Sequence, residues 1–327
     1  MKRVLITGAS GFVGANLALR MLADGHRVCL LLREESHTWR LDDILDQFET
    51  IKLDLLDFDA VSKAVADFNP DWVFHLAVSG AYSWQTDRKK IVDTNLTSTI
   101  NLVEACAKTG FECFINTGSS SEYGFFEHAP AENEAVEPNS YYAITKVAAT
   151  NTCRYVAERD KLRIPTLRLY SVYGPYEDPR RLMPTLIRKG MAGELPPLVD
   201  PSIARDYIYI DDVVDAFLKT ARRTDYEPGA VFNVGTGIQT TIEEIVDIAR
   251  EELSIEAEPN WGSMDNRVWD SSVWVANIDK IEDVLDWHPK VSVKEGFKRF
   301  VQWTRDLDSL KEIYATANLE RTPAGKN

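Results

Sequence analysis

Short apolar segments alternate with longer segments of helical periodicity through the first half of the chain. The first of them, residues 3–6, is a short apolar run that ends at a glycine, which is typical of a buried strand. We predict further strands at residues 28–32, 51–53, 72–76, 113–116 and 166–170. We predict helices at residues 12–23, 58–68 and 91–108. This alternation indicates an α/β fold with a doubly wound parallel sheet, whose ligands bind at the carboxyl ends of the strands.

A glycine-rich turn, TGASGFVG at residues 7–14, connects the first predicted strand to the first predicted helix. A strand, a glycine turn and a helix together present backbone N–H groups and a helix N-terminus to a pyrophosphate. The spacing is Gly-x-x-Gly-x-x-Gly, not the Gly-x-Gly-x-x-Gly of the standard fingerprint, and a tight turn without a ligand is the alternative. We predict cofactor contacts at Gly8, Ser10, Gly11, Phe12, Val13 and Gly14.

Tyr142 and Lys146 lie four residues apart in a segment with a helical pattern, so their side chains share one helix face. A free phenol, with a pKa of about 10, is a poor acid–base group at neutral pH. A lysine cation beside it stabilises phenolate and makes proton exchange with a bound hydroxyl or carbonyl practicable. Because the same spacing arises by chance in many helices, the pair requires support from the rest of the chain.

Composition limits the partners of the protein. The sequence has 37 Lys and Arg against 51 Asp and Glu, a net charge of −14, which argues against nucleic acid or an anionic membrane as a partner. No apolar run reaches transmembrane length. The cysteines show neither metal-ligand spacing nor a compact disulfide pattern, so we expect reduced thiols, a cytoplasmic location and no bound metal. They are Cys29, Cys106, Cys113 and Cys153.

Seven motifs follow one another as they do in the extended short-chain dehydrogenase/reductases. They are TGASGFVG at 7–14, HLA at 75–77, Asn95, SSSEYG at 119–124, YAITK at 142–146, RLYSVYGP at 168–175 and RDYIYIDDV at 205–213. The chain resembles that family over nearly its whole length. It is most similar to the nucleotide-sugar branch, which includes sugar epimerases, 4,6-dehydratases and 4-keto-sugar reductases.

The resemblance implies an overall organisation. We expect a Rossmann domain at residues 1–170, to which residues 203–234 return, and a smaller substrate-binding lobe built from residues 171–202 and 235–327. Relatives dimerise through two helices, so we also expect a homodimer. The corresponding helices are at about 88–108 and 141–159.

The resemblance also implies a catalytic set of Ser119, Tyr142 and Lys146. The Ser119 hydroxyl can donate to and accept from a substrate oxygen, and so can hold the reacting group against Tyr142. Lys146 should also contact the nicotinamide ribose, and Asn95 should stiffen the backbone of the site. The remaining positions that match cofactor contacts are Asp54, Leu55, Leu76, Ala77 and Thr117.

The residue after the second predicted strand indicates which cofactor binds. NAD-selective relatives carry a carboxylate there for the ribose 2′-hydroxyl, whereas this chain has Leu32 followed by Arg33. An arginine cannot accept that hydrogen bond but can pair with the 2′-phosphate of NADP. We therefore expect NADP, with NAD as the alternative. Ser36 and Arg40 either reinforce this site or belong to a charged loop.

Substrate contacts are expected for a nucleotide-diphosphate sugar. Arg205 matches a position that contacts the pyrophosphate, and Arg267 with Asp270 resembles a segment near the phosphates and nucleoside. Ser171 stands where the family often has an asparagine. The loop 78–85 either overhangs the sugar or packs as a lid on its own helix. The residues assigned to the substrate are Ser79, Tyr82, Ser120, Ser171, Arg205 and Arg267.

The residues after Ser119 help to distinguish reactions. Dehydratases of this branch carry acidic residues there, whereas this chain has Ser120 and Ser121, which argues against dehydration. Glu122 comes one residue too late, and on a strand-like turn its side chain points the other way. We expect an NADP-dependent reductase of a nucleotide-linked 4-keto-6-deoxyhexose, most similar to the CDP-abequose and CDP-paratose synthases. The alternative is a nucleotide-sugar 4-epimerase with a retained NAD. A non-catalytic NADP-binding scaffold is a minor third possibility.

Overall fold

A seven-stranded parallel sheet forms the centre of the computed structural model, which describes residues 1–82, 84–266 and 273–307. The strands are β1 (Arg3–Thr7), β2 (Arg27–Leu32), β3 (Glu49–Lys52), β4 (Trp72–His75), β5 (Cys113–Ser119), β6 (Thr166–Leu169), β7 (Ser171–Tyr173), β8 (Ala204–Arg205), β9 (Tyr207–Tyr209), β10 (Val231–Val234) and β11 (Thr240–Thr241). The order in the large sheet is β10-β6-β5-β4-β1-β2-β3, and neighbouring strands are parallel. The predicted doubly wound α/β class is therefore confirmed.

Helices cover both faces of the sheet. They are α1 (Phe12–Ala23), α2 (Phe58–Phe68), α3 (Arg88–Val92), α4 (Ser98–Thr109), α5 (Tyr141–Asp160), α6 (Leu182–Gly190), α7 (Ile210–Arg222), α8 (Ile242–Leu253), α9 (Asp279–Leu285) and α10 (Val293–Asp306). A π-helical turn, Asp93–Thr97, joins α3 to α4, and short 3₁₀ turns lie at Asp42–Gln47 and Ser120–Glu122. The helix predicted at 91–108 is thus three consecutive pieces.

Two hydrophobic cores lie on opposite faces of the sheet. Leu5 packs with residues of α2, α4 and α5, whereas Ile6, the next residue of β1, packs with α1 and α7. Consecutive strand residues point to opposite faces, so a strand with both residues buried must be covered on both sides. The four cysteines are free and buried, and burial raises the pKa of each thiol.

Two strands, β3 and β5, have bounds that differ from the prediction. β5 continues to Ser119, beyond the predicted end at residue 116, because Gly118 and Ser119 pair with Arg168 and Leu169 of β6. A Cβ at Gly118 would lie 2.7 Å from the Glu122 carboxylate and from Thr166, so only glycine fits there. The third strand begins two residues and ends one residue earlier than predicted.

Beyond β6 the chain forms smaller elements. β7 pairs with β9 in a parallel ladder, β8 pairs with β11 in an antiparallel ladder, and β10 returns to the edge of the large sheet beside β6. The division into a cofactor domain and a substrate lobe stays a prediction. Within the described ranges, the structure contains no helix with the length and apolarity needed to cross a membrane.

Candidate active site

Helix α5 brings Tyr142 and Lys146 to the end of β5. The helix begins where the Ser140 hydroxyl accepts a hydrogen bond from the Ala143 N–H at 3.1 Å. Lys146 is buried, and its ammonium donates to the carbonyl of Thr117 in β5. Burial lowers the pKa of Lys146, since the charged form is poorly solvated. The ammonium is therefore fixed by the strand that ends at Ser119.

Ser119 lies within hydrogen-bonding reach of the Tyr142 phenol. It is buried, and its hydroxyl oxygen accepts from the N–H of Ser121 at 3.2 Å, which leaves its own hydrogen to donate. Ser119, Tyr142 and Lys146, which the sequence separates by 27 positions, thus meet at one end of β5. Their catalytic roles stay predictions.

The pKa of Tyr142 differs from the expectation. Burial raises it to about 12, and the Ser119 hydrogen bond opposes that rise only in part. We expected Lys146 to favour the phenolate, but its ammonium is directed to the Thr117 carbonyl. Tyr142 is consequently a protonated phenol at neutral pH in the protein alone.

Glu122 is a residue of this site that the sequence interpretation placed wrongly. The segment after Ser119 was expected to be strand-like, with Glu122 directed elsewhere, but residues 120–122 form a 3₁₀ turn. The Glu122 side chain is fully buried and accepts from the Ser119 N–H at 2.9 Å, the Thr150 hydroxyl at 3.0 Å and the Arg168 guanidinium at 3.0 Å. Glu122 therefore holds the turn that presents Ser119.

The glycine turn between β1 and α1 is too close to its neighbours for side chains. A Cβ at Gly8 would lie 2.4 Å from the Leu76 carbonyl carbon, and one at Gly14 would lie 2.3 Å from the Gly8 oxygen. Gly8 also has a φ of +71°, which favours glycine. The N-cap of α1 is Gly11, which has no side chain to cap the helix, so the first N–H groups of α1 are left for a ligand. Phe12 and Val13 form the first turn of this helix.

A cavity of about 430 Å³ opens at the carboxyl ends of β1, β2 and β4, within the size range of ligand pockets. It contains eight of the predicted cofactor residues: Gly8, Ser10, Gly11, Arg33, Asp54, Leu55, Leu76 and Ala77. Beside β5, the Thr117 hydroxyl is buried without a hydrogen-bond partner among the described residues. The glycine cradle, the cavity and this free hydroxyl fit a dinucleotide.

Two residues that the sequence suggested for the cofactor site form hydrogen bonds with other residues of the protein. Asn95 is buried beneath the loop after β4, where its amide bonds the N–H and carbonyl of Ser79 and the hydroxyl of Thr145. Arg40 donates to the carbonyls of Ser10 at 2.9 Å and Tyr176 at 2.7 Å, so it holds the glycine turn. The hydrogen bonds with Ser79 tie Asn95 to the loop backbone, and its role in stiffening the site and its contact with a cofactor stay predictions.

Arg33 lines the cavity and forms an ion pair with an acidic residue of the same loop. The Arg33 guanidinium lies 3.4 Å from the Glu35 carboxylate, and the backbone N–H of Arg33 donates to the Ser36 hydroxyl. The loop after β2 therefore presents the Arg33 guanidinium, the Ser36 hydroxyl and the Glu35 carboxylate together. Its charge is less favourable to a phosphate than the isolated Arg33 of the sequence prediction.

The sequence of this chain matches the model of a known protein family over most of its length. Residues 4–235 match the NAD dependent epimerase/dehydratase family. The chain belongs to this family.

Relatives in this family match nearly the full length of the chain. The chain is 32% identical over 319 residues to the UDP-glucose 4-epimerase of Mycolicibacterium smegmatis, which covers 93% of this chain and 99% of that protein. It is 27% identical to the UDP-glucuronate 4-epimerase of Thermodesulfobacterium geofontis, over 94% of this chain and 98% of that protein. The UDP-glucose 4-epimerase of Thermus thermophilus, solved with NAD, superposes with a TM-score of 0.82 at 26% identity, over 93% and 99% of the two chains.

The predicted substrate residues of this family member have different surroundings. Ser79 is buried against Asn95, and Ser171 begins β7 with its N–H bonded to the Asp206 carbonyl. The Ser120 hydroxyl accepts from the indole N–H of Trp274 at 3.1 Å. The Arg205 guanidinium lies 5.2 Å from the Trp274 ring centroid. Arg267 and Asp270 lie outside the described residues.

Two aromatic side chains of the loop 78–85, Tyr82 and Trp84, contact arginines about 100 residues further along the chain. Tyr82 stacks on Trp84 with ring centroids 4.6 Å apart, and Arg180 lies 3.7 Å above the Trp84 ring. Arg181 lies 5.9 Å from the Tyr82 ring and is near enough to Tyr142 to lower its pKa. Tyr82 and Trp84 therefore contact Arg180 and Arg181 close to the Tyr142 phenol, and the overhang of this loop above the sugar stays a prediction. Sequence reasoning gave no signal for this contact.

Proposed function

We propose that this chain is an NAD-dependent 4-epimerase of a nucleotide-linked hexose. The observation that carries the proposal is the near-full-length similarity to the UDP-glucose 4-epimerase of Mycolicibacterium smegmatis. The grouping of Ser119, Tyr142 and Lys146 at the end of β5 supports it. The reaction inverts carbon four of the sugar, with no net oxidation or reduction.

In this mechanism Tyr142 exchanges a proton with the hydroxyl on carbon four, and Ser119 holds the same oxygen. Bound NAD would supply the acceptor and donor of the hydride of carbon four, and its positive ring would favour the phenolate form of Tyr142. Lys146 fixes the geometry, since its ammonium is anchored on Thr117. Glu122 keeps Ser119 in place through the backbone N–H.

The residues that would hold NAD lie along the edge of the sheet. The turn from Gly8 to Gly14 and the N-terminus of α1 would bind the pyrophosphate. Asp54 and Leu55, which line the cavity, would contact the adenosine half, and Lys146 with Thr117 would contact the nicotinamide half. The buried Thr117 hydroxyl, which has no partner in the described part of the chain, supports this assignment.

NAD is favoured over the NADP that the sequence predicts. Arg33 is paired with Glu35, so a 2′-phosphate would meet a carboxylate as well as a guanidinium. The Thermus thermophilus relative was solved with NAD. The loop conformation after β2 therefore weakens the reason for expecting NADP.

A 4-keto-sugar reductase is the second candidate. Arg33 and Ser36 both line the cavity at the end of β2, where they could contact a 2′-phosphate if Glu35 moved. Such an enzyme must exchange its nicotinamide in every turnover, whereas an epimerase reuses one bound molecule. Dehydration is disfavoured because Ser120 and Ser121 follow Ser119, and the Glu122 carboxylate is bonded on both oxygens.

The epimerase and the reductase are distinguished by whether the purified protein retains its nicotinamide cofactor. The purified protein is incubated with UDP-glucose and no added nucleotide, and UDP-galactose is followed by NMR of the anomeric proton. A separate sample is heated, and the released nucleotide is identified by mass. We expect UDP-galactose to form and NAD to be released at close to one molecule per chain. A protein that purifies empty and consumes NADPH with a 4-keto-sugar nucleotide would instead be the reductase.

A further inference from the structure

His75 is a buried titratable residue that the mechanism described above does not use. It is the last residue of β4, whose other residues, Trp72, Val73 and Phe74, are hydrophobic, and it is only 3% exposed. A buried imidazole is costly unless its polar atoms are hydrogen-bonded. The partners of its two ring nitrogens therefore indicate what this histidine holds in place.

The hydrogen bond at Nδ1 connects His75 to the start of the glycine turn. The Thr7 hydroxyl lies 2.7 Å from Nδ1 of His75. The hydroxyl oxygen of Thr7 also accepts from the N–H groups of Leu76 and Ala77, each at 3.2 Å, so both of its lone pairs are used. Its single hydrogen is therefore donated to Nδ1, which must be unprotonated. Because Thr7 directly precedes Gly8, this bond fixes the point at which the glycine turn begins.

The hydrogen bond at Nε2 connects His75 to the π-helical turn between α3 and α4. Oγ1 of Thr99 lies 2.8 Å from Nε2, and the Thr99 hydroxyl donates its only hydrogen to the carbonyl of Asn95 at 2.8 Å. Thr99 can therefore only accept from the imidazole, so Nε2 carries the proton. The two hydroxyls fit the neutral Nε2–H tautomer and no other form of the ring. Burial and the Lys146 ammonium also lower the pKa of His75 to about 3, so the ring is neutral at neutral pH.

From Asn95 the hydrogen bonds continue to the catalytic helix. The Asn95 amide donates to the Thr145 hydroxyl at 2.9 Å, and that hydroxyl donates to the carbonyl of Tyr142 at 2.8 Å. The same amide bonds the N–H and the carbonyl of Ser79. His75 is thus the link between the turn that would bind the cofactor and the backbone that carries the phenol.

We propose that His75 is a positioning residue that sets the placement of the Tyr142 phenol relative to the nicotinamide of the cofactor. The inference rests on the proposed 4-epimerase function, in which the phenol and the nicotinamide act on the same carbon atom. A displacement of about 1 Å in such an arrangement can lower the rate about 100-fold. Both ring nitrogens of His75 have protein partners, so the histidine acts through Tyr142 and affects turnover, not the binding of substrate.

The test compares two variants that differ in what they retain of the imidazole. His75→Gln keeps one acceptor and one donor, whereas His75→Leu has neither. We expect kcat per bound NAD to fall about 10- to 100-fold in His75→Leu, while KM for UDP-glucose stays within about twofold. His75→Gln should recover most of the turnover. Bound NAD is counted after heat release, so that unfolded or empty chains do not contribute.

Thr99→Val tests the same chain of hydrogen bonds with His75 intact, and decides the matter if His75→Leu does not fold. It should lower kcat as His75→Leu does, and the double variant should lose no more than either single variant, because both changes break one chain. Thr220→Val is the matched control. Thr220 is a fully buried threonine of α7 whose hydroxyl also bonds the carbonyl four residues earlier, and this variant should keep full turnover.

The tautomer of His75 is a readout that does not depend on turnover. NMR of the ¹⁵N-labelled enzyme distinguishes bare from protonated ring nitrogens, and the His75 signals are those that His75→Gln lacks. We expect a bare Nδ1 and a protonated Nε2 from about pH 5 to pH 8. A protonated Nδ1, or a ring that titrates near its ordinary pKa of about 6.5, would overturn the inference.

The kinetic outcomes separate this inference from the proposed function. Full turnover of His75→Leu and Thr99→Val, a rise in KM in place of a fall in kcat, a His75→Gln variant as impaired as His75→Leu, or additive losses in the double variant would overturn the inference while the epimerase assignment stands. No epimerisation of UDP-glucose by the unchanged enzyme would refute the proposed function, and the inference with it.

Discussion

The buried carboxylate of Glu122 accepts a hydrogen bond 2.9 Å long from the backbone N–H of Ser119. Its other oxygen binds the Arg168 guanidinium and the Thr150 hydroxyl, each at 3.0 Å. The serine that faces Tyr142 is therefore held by a buried ion pair that connects β5, β6 and α5. The contacts that bury Glu122 are therefore the ones that fix the position of Ser119, the proposed catalytic serine.

The first prediction concerns that ion pair. Glu122→Ala leaves the Arg168 guanidinium buried without a counter-charge, so the free energy of unfolding should fall by about 3–5 kcal/mol. Urea unfolding followed by circular dichroism measures the loss. Asp67→Ala is the control, since Asp67 pairs with Lys63 on the exposed face of α2 and should change little. A small loss in Glu122→Ala would show that the pair is not needed to hold the turn.

The second prediction concerns the catalytic phenol. Tyr142→Phe removes the group that exchanges the proton but keeps the ring, so kcat should fall by about 10² to 10⁴ while NAD stays bound. Tyr141→Phe is the matched control, because Tyr141 is 49% exposed and its hydroxyl should be dispensable. Near-normal turnover of Tyr142→Phe would exclude the phenol from its assigned role.

The third prediction concerns pH. Burial raises the pKa of Glu177 to about 8, against an ordinary value of 4.5. The native protein therefore keeps a proton that the unfolded chain releases, and the free energy of unfolding should fall as pH rises from about 4.5 to about 8, by at most about 1.4 kcal/mol per pH unit.

A glutamine at position 177 cannot ionise, so the free energy of unfolding of Glu177→Gln should not fall with pH in this way. The variant and the unchanged protein should differ little in this pH-dependent contribution to the free energy of unfolding near pH 4.5. The variant should become increasingly more stable than the unchanged protein up to about pH 8, as measured by urea unfolding across that range. Glu194→Gln, on an exposed pair with Lys189, is the control. A variant that instead loses stability at high pH would mean that the Arg181 ion pair outweighs burial.

The fourth prediction concerns assembly. Helices α4 and α5 pack together and expose apolar side chains, with Ile100 40% and Ile144 49% exposed. We expect these faces to form a two-fold four-helix interface. Light scattering after gel filtration should give a dimer for the unchanged protein and a monomer for Ile144→Asp. Ile238→Asp, at an apolar residue 67% exposed outside these helices, should remain dimeric. A monomeric unchanged protein at micromolar concentration would contradict the interface.

Local patterns in the sequence were sufficient to predict much of the fold. The bounds of α1 and α2 match the prediction because their apolar periodicity is uninterrupted. The catalytic candidates follow from the resemblance to the extended short-chain dehydrogenase/reductases, and the structure places Ser119, Tyr142 and Lys146 together.

Contacts across long sequence separations could not be predicted in this way. Ser120 and Trp274 are 154 residues apart, and no local pattern connects them. Glu122 resembles a solvent-exposed turn residue until Arg168, 46 positions later, is placed beside it. Arg33 suggested a phosphate site because the sequence does not reveal that the following loop brings Glu35 to within 3.4 Å.

The most direct test of the proposed epimerase uses UDP-glucose that carries deuterium on carbon four. In a 4-epimerase the hydrogen removed from carbon four returns to the same carbon, on the opposite face. Mass spectrometry of the separated sugar nucleotides should therefore show UDP-galactose that retains the deuterium, formed without added nucleotide. UDP-galactose that has lost the deuterium, or UDP-glucose that stays unchanged, would contradict the assignment.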